Sequence, residues 1–76
     1  MAYYKYLNTL HQENGNEFDL LHHPGAITPH SGIYRCEVCG GSAVSTLGHA
    51  LPPQDHHVHD AGQPIRWRLI VKAHWR

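Results

Sequence analysis

A chain of 76 residues with 41% hydrophobic content has room for one small core, since a domain of that size buries only about 60% of the surface its unfolded chain exposes. Its formal charge is zero with histidine counted neutral, which excludes a global pull toward nucleic acid or an anionic membrane. The longest aliphatic run, Leu69-Ile70-Val71, excludes a membrane helix of roughly 20 apolar residues.

Met1 to Leu10 is interrupted by Lys5, Asn8 and Thr9, so no apolar export signal of roughly 7–15 residues is visible and a soluble, cytoplasmic protein is expected. In that reducing compartment a cysteine pair serves metal binding or catalysis more often than a structural disulfide. Residues 1–31 read as an N-terminal arm or hairpin that is partly mobile. Tyr4, Tyr6 and Leu10 before Asn14-Gly15, with Phe18 and Leu20 after it, suit a β-hairpin because Asn-Gly supplies the positive φ angles of a tight turn. An irregular arm is the competing reading for residues 3–21, and residues 22–31, broken by Pro24-Gly25 and Pro29, are expected to be mobile.

Residues 32–76 read as the folded domain. Ile33-Tyr34-Arg35-Cys36 is extended, Cys39-Gly40-Gly41 turns, and Ala43 to Leu47 returns, until Leu51-Pro52-Pro53 takes the chain out of the sheet because proline lacks the backbone donor a ladder needs. A third strand carries Ile65, Trp67, Leu69 and Val71 on one face and Arg66, Arg68 and Lys72 on the other, a period of two broken only at Ile70. No stretch of 11 residues keeps an apolar stripe at helical spacing without Gly or Pro. The prediction is a small mostly-β fold of about three short antiparallel strands around one metal site.

Cys36-Glu37-Val38-Cys39-Gly40-Gly41 is the most specific motif. Two thiolates at i and i+3 in a tight turn face one ion, and glycine after the second cysteine permits the turn's dihedral angles. The other half of a tetrahedral site has one dense source, His56-His57-Val58-His59. His56 and His59 repeat the i, i+3 spacing, and 16 residues separate Cys39 from His56, within the range that closes a Cys2His2 zinc site. The expected ligands are therefore Cys36, Cys39, His56 and His59, with His57 a close competitor and His49 a weaker one. A redox role for the cysteines needs the start of a helix in a βαβ unit, and that context is missing. His11, His22, His23, His30 and His74 read as ordinary loop histidines.

Ser31-Gly32-Ile33-Tyr34-Arg35-Cys36 with Cys39-Gly40, followed by Gly48-His49, Leu51-Pro52-Pro53 and a tryptophan-containing last strand, resembles bacterial zinc-ribbon proteins of uncharacterised function over about residues 31–71. In that pattern Leu-Pro-Pro is followed by a second Cys-x-x-Cys, whereas here Gln54 and His57 stand at the two cysteine positions. The resemblance implies a zinc-ribbon-like fold. It implies either that His57 keeps the aligned role with His56 or His59 beside it, or that the site is rebuilt from His56 and His59. The Leu-Pro-Pro-Gln-x-His-His-x-His stretch is similar to that of small bacterial proteins with no assigned activity.

One structural Zn2+ is the expected cofactor. A zinc with four protein ligands keeps no position for water or substrate, which argues against an enzyme, and no deaminase, metalloprotease or phosphate-loop motif is present. The expected function is a zinc-binding structural or interaction module with a protein partner. Two alternatives stand beside it. Arg66, Arg68, Lys72 and Arg76, with Trp67 or Trp75 to stack on bases, would make a modest nucleic-acid surface. The surplus histidines would instead suit metal handling, because imidazole binds zinc, copper and nickel.

Overall fold

The computed structural model describes residues 1–74. Trp75 and Arg76, considered above for stacking and charge, lie outside the described residues. Three strands form one antiparallel sheet: β1 (Gly32–Cys36), β2 (Ser42–Ser45) and β3 (Trp67–Lys72), in the order β2-β1-β3. With no α-helix among the described residues, this is the small mostly-β, zinc-ribbon-like fold that the sequence predicts.

Strand periodicity puts Tyr34 and Cys36 on one face of β1, where both are fully buried. Tyr34 stands between Ala43 of β2 and Leu69 of β3, and Cys36 stands opposite Trp67. Leu51, Ile65, Trp67 and Leu69 complete the core, with Phe18, Ala26 and Ala43 packed against it. Each fully buried aliphatic side chain contributes roughly 1.5–3 kcal/mol. The break at Ile70 has a structural counterpart. Ile33 pairs with Val71 while Tyr34 pairs with Leu69, so Ile70 is the extra residue of a bulge. Gly32 lies where β3 crowds in, and a Cβ there would sit 2.0 Å from the Val71 carbonyl oxygen.

The Asn14-Gly15 hairpin does not form. Gly15 has φ −66°, outside the positive region a tight hairpin turn uses, and leads into a 3-10 turn at Asn16–Phe18; a second 3-10 turn covers Leu7–Thr9. The physical reason lies in the flanks. Tyr4, Tyr6, Leu10 and Leu20 are all exposed, so a hairpin has no apolar face to bury, and Phe18 packs on the core instead. Lys72 of β3 pairs with Glu17 beside it.

Residues 22–31 run against the sheet and the loop after β2. His22 and Trp67 exchange both backbone hydrogen bonds, at 2.8 and 2.9 Å, and Leu51 N–H donates to the Ala26 carbonyl at 2.8 Å. Thr28 N–H donates to the His49 carbonyl at 2.8 Å, and Gly48 N–H donates to the Thr28 carbonyl at 3.0 Å. The Thr28 and Ser45 hydroxyls are buried against one another in a short hydrogen bond. Tyr34 is anchored from the same side, its hydroxyl donating to the His30 carbonyl at 2.7 Å.

Candidate metal centre

The cysteine turn grows directly out of β1. Cys36 N–H donates to the Gly41 carbonyl and Gly40 N–H to the Cys36 carbonyl, both at 2.7 Å, which folds residues 36–41 back on themselves. Gly40 has φ +81°, a left-handed conformation that costs glycine little. Glu37 N–H donates to the Arg66 carbonyl at 2.9 Å, fastening the turn to the chain that enters β3.

The Cys36 sulfur sits at the centre of this arrangement. Burial disfavours its charge, but the backbone N–H groups of Cys39, Arg66 and Val38 and the ring of His57 are directed at it and outweigh burial, bringing the thiol down to about 6. At neutral pH the sulfur is therefore a thiolate, the form that binds metal. Cys36 is buried and Cys39 exposed, and neither forms a disulfide.

The histidine half depends on where a turn ends. A 3-10 turn covers Gln54–His56, and His57 then adopts φ −160°, ψ 165°. In extended backbone, residues two apart point to the same side, which places His57 and His59 together. Cys36, Cys39, His57 and His59 form the group, each offering one ligand atom, with all four atoms within 4.8 Å of one another.

His56, expected as a ligand from its i, i+3 spacing to His59, lies outside the group. That spacing needs a continuing turn between the two residues, and the chain is extended there instead. The competing reading in which His57 partners His59 describes the geometry. His49 lies in the loop after β2, where its backbone N–H donates to the Thr46 carbonyl at 2.9 Å, and is outside the ligand group. Among the described residues no second group of three potential ligands gathers.

Three edges of the group fit one tetrahedral ion. Bonds of about 2.3 Å to sulfur and 2.0–2.1 Å to nitrogen imply edges of about 3.6 Å between sulfur and nitrogen and about 3.3 Å between the nitrogens. His59 Nε2 lies 3.4 Å from Cys36 Sγ, His57 Nε2 lies 3.4 Å from Cys39 Sγ, and the two nitrogens are 3.2 Å apart. Two thiolates also balance the charge of a divalent cation. The four side chains can thus coordinate a single metal ion.

Supporting contacts were less visible in the sequence. The Gln63 carbonyl lies 2.7 Å from His59 Nδ1, and by accepting its N–H raises the pKa of that imidazole. Trp67 meets the rings of His56 and His57 edge to face, at 5.7 and 5.9 Å between centroids, while its indole N–H donates to the Pro52 carbonyl at 3.1 Å. Its inward direction follows from strand alternation, but its service to the histidines has no local signature. Gln54, at the position of a cysteine in the zinc-ribbon pattern, accepts the Ile65 N–H through its side-chain oxygen and lies outside the ligand group.

The chain is similar to Protein L of Escherichia coli. The two are 51% identical over 52 residues, which is 68% of this chain and 60% of Protein L. The match thus spans less than two thirds of that relative, whose name states no activity. No family model matches. No solved structure matches either. No helix among the described residues is long and apolar enough to cross a membrane.

Proposed function

We propose that the chain is a zinc-binding structural module that presents its surface to a protein partner in the cytoplasm. The observation that carries this reading is the tetrahedral spacing of two sulfurs and two imidazole nitrogens, the donor set and geometry zinc prefers. A reducing compartment, where a cysteine pair more often binds metal than forms a disulfide, suits this site. When bound, zinc would supply folding energy, an apparent value of about 10–16 kcal/mol in small zinc domains. Four protein ligands leave no position for water or substrate, so the centre has no catalytic role in this reading.

The interaction role draws support from the surface. Tyr3, Val44, Leu47, Ile27 and Val58 are all well exposed, and in this reading they offer apolar contact to a partner. The nucleic-acid alternative is weakened by charge pairing. Arg35 and Arg68 stand opposite one another across β1 and β3, and both pair with Glu37 at 3.1 Å, while Lys72 is engaged by Glu17. Metal handling lacks a second ligand group among the described residues.

Native mass spectrometry of the purified chain, with and without a strong chelator, tests the proposal. One zinc per chain is expected, with loss of structure on chelation and in Cys36→Ser. A metal-free chain that keeps its fold, and a Cys36→Ser variant that keeps it too, would rule the reading out.

A further inference from the structure

We propose that His56 is a positioning residue for the metal centre: it accepts the Nδ1 proton of His57 and so fixes the tautomer and ring angle with which His57 offers Nε2 to the ion. This inference rests on the metal-binding reading above and adds a third imidazole to it.

A neutral imidazole carries one N–H and one lone pair. Both His57 and His59 direct Nε2 into the ligand group, so to bind an ion each must carry its lone pair on Nε2 and its proton on Nδ1. An imidazole ligand is best held when that second N–H has its own acceptor, which orients the ring and raises its basicity. For His59 the acceptor is the Gln63 carbonyl oxygen at 2.7 Å. For His57 the atom at the same distance is His56 Nδ1, also 2.7 Å away. His56 must then carry its own proton on Nε2 and present the Nδ1 lone pair.

His56 is built to hold that position. Its backbone N–H donates to the Pro53 carbonyl at 2.9 Å at the end of the 3-10 turn, and its ring stands edge to face with the buried Trp67 at 5.7 Å and with His57 at 5.0 Å. The adjacent histidine pair thus divides the labour. The second residue binds, and the first orients it.

The test measures zinc affinity of the full-length chain by competition with a chromophoric chelator, and ligand geometry from the visible spectrum of the cobalt(II) form. His56→Ala is expected to lose about 10–100-fold in affinity while keeping a four-ligand, two-thiolate cobalt spectrum with shifted ligand-field bands. Asparagine and glutamine separate orientation from bulk and fold. His56→Asn places an acceptor oxygen near the Nδ1 position and should recover most of the affinity, whereas His56→Gln places it farther out and should not.

Wild-type affinity in His56→Ala, or equal affinities for the asparagine and glutamine variants, would overturn the assignment. So would loss of one nitrogen ligand from the cobalt spectrum in every His56 variant with none lost in His57→Ala, since His56 would then be the ligand itself. A wild-type chain that binds neither zinc nor cobalt overturns the metal reading, and this assignment with it. A wild-type chain that binds, beside an unaffected His56→Ala, overturns this assignment alone.

Discussion

The side-chain oxygen of Gln54 accepts the backbone N–H of Ile65 at 3.1 Å, which ties the turn before the histidines to the residue leading into β3. Ile65 is fully buried, so its N–H has no route to water if the acceptor is removed. Gln54→Leu should destabilise the chain by about 1–3 kcal/mol, the cost of an orphaned buried donor. Metal stoichiometry should stay the same, because Gln54 is outside the ligand group. Denaturant unfolding alongside metal analysis checks both parts, and a loss of bound metal in a folded variant would contradict this placement.

The Thr28–Ser45 hydroxyl pair joins the chain before β1 to β2 within the core. Thr28→Val should cost about 1–3 kcal/mol by stranding the Ser45 hydroxyl, and adding Ser45→Ala should restore part of that loss. A double-mutant thermal unfolding cycle measures the coupling. Simple additivity of the two changes would show that the hydroxyls do not interact.

Glu37 compensates two arginines at once. The wild-type chain should therefore bind single-stranded oligonucleotide weakly, with a shallow dependence of log affinity on log salt. Glu37→Gln should tighten binding and steepen that slope. A slope already steep in the wild type would revive the nucleic-acid reading.

Burial lowers the pKa of His22, and the nearby His30 lowers it further. Above the ordinary imidazole pKa of about 6.5 both folded and unfolded chains hold this ring neutral, and stability is unaffected by its titration. Below it, the unfolded chain takes up a proton that the folded ring resists. Stability is then lost as pH falls from about 6.5 toward the depressed folded value. His22→Phe, which keeps an aromatic edge toward Tyr34, should flatten this part of the pH profile relative to wild type. Unfolding midpoints collected across that window for both chains decide the matter, and parallel curves would exclude His22 as the cause.

Much of the sheet was legible because its signal is local. Trp67 and Leu69 alternate with Arg68, and the one irregularity, Ile70, coincides with the register shift against β1. The cysteine half of the centre was legible too, since a Cys-x-x-Cys-Gly turn carries its geometry in its own residues. The histidine half was not settled by spacing. Spacing favours His56, whose i, i+3 separation from His59 repeats that of the cysteines, whereas the choice of His57 falls to an extended backbone at His57 and to Trp67, which arrives from a distant strand to meet both rings. Asn14-Gly15 shows the opposite case, a strong turn signal overruled because its flanks have no core to cover. The contacts of residues 22–28 run through backbone atoms to Trp67 and to residues 48–51, and such contacts leave no mark on side-chain pattern.

Strand order also sets a folding problem. β1 meets β2 across the short cysteine turn, but it meets β3 only after residues 37–66 have been traversed. Closing a loop of that length carries an entropy cost before any pairing rewards it, and non-local pairing of this kind is slow. With Cys36, Cys39, His57 and His59 gathered on one ion, the chain is already held back at residue 59, and only residues 60–66 remain to be closed before Trp67 reaches Cys36. If metal binds there, the four side chains would act as a kinetic tether, and the last strand should dock sooner when refolding begins with metal present.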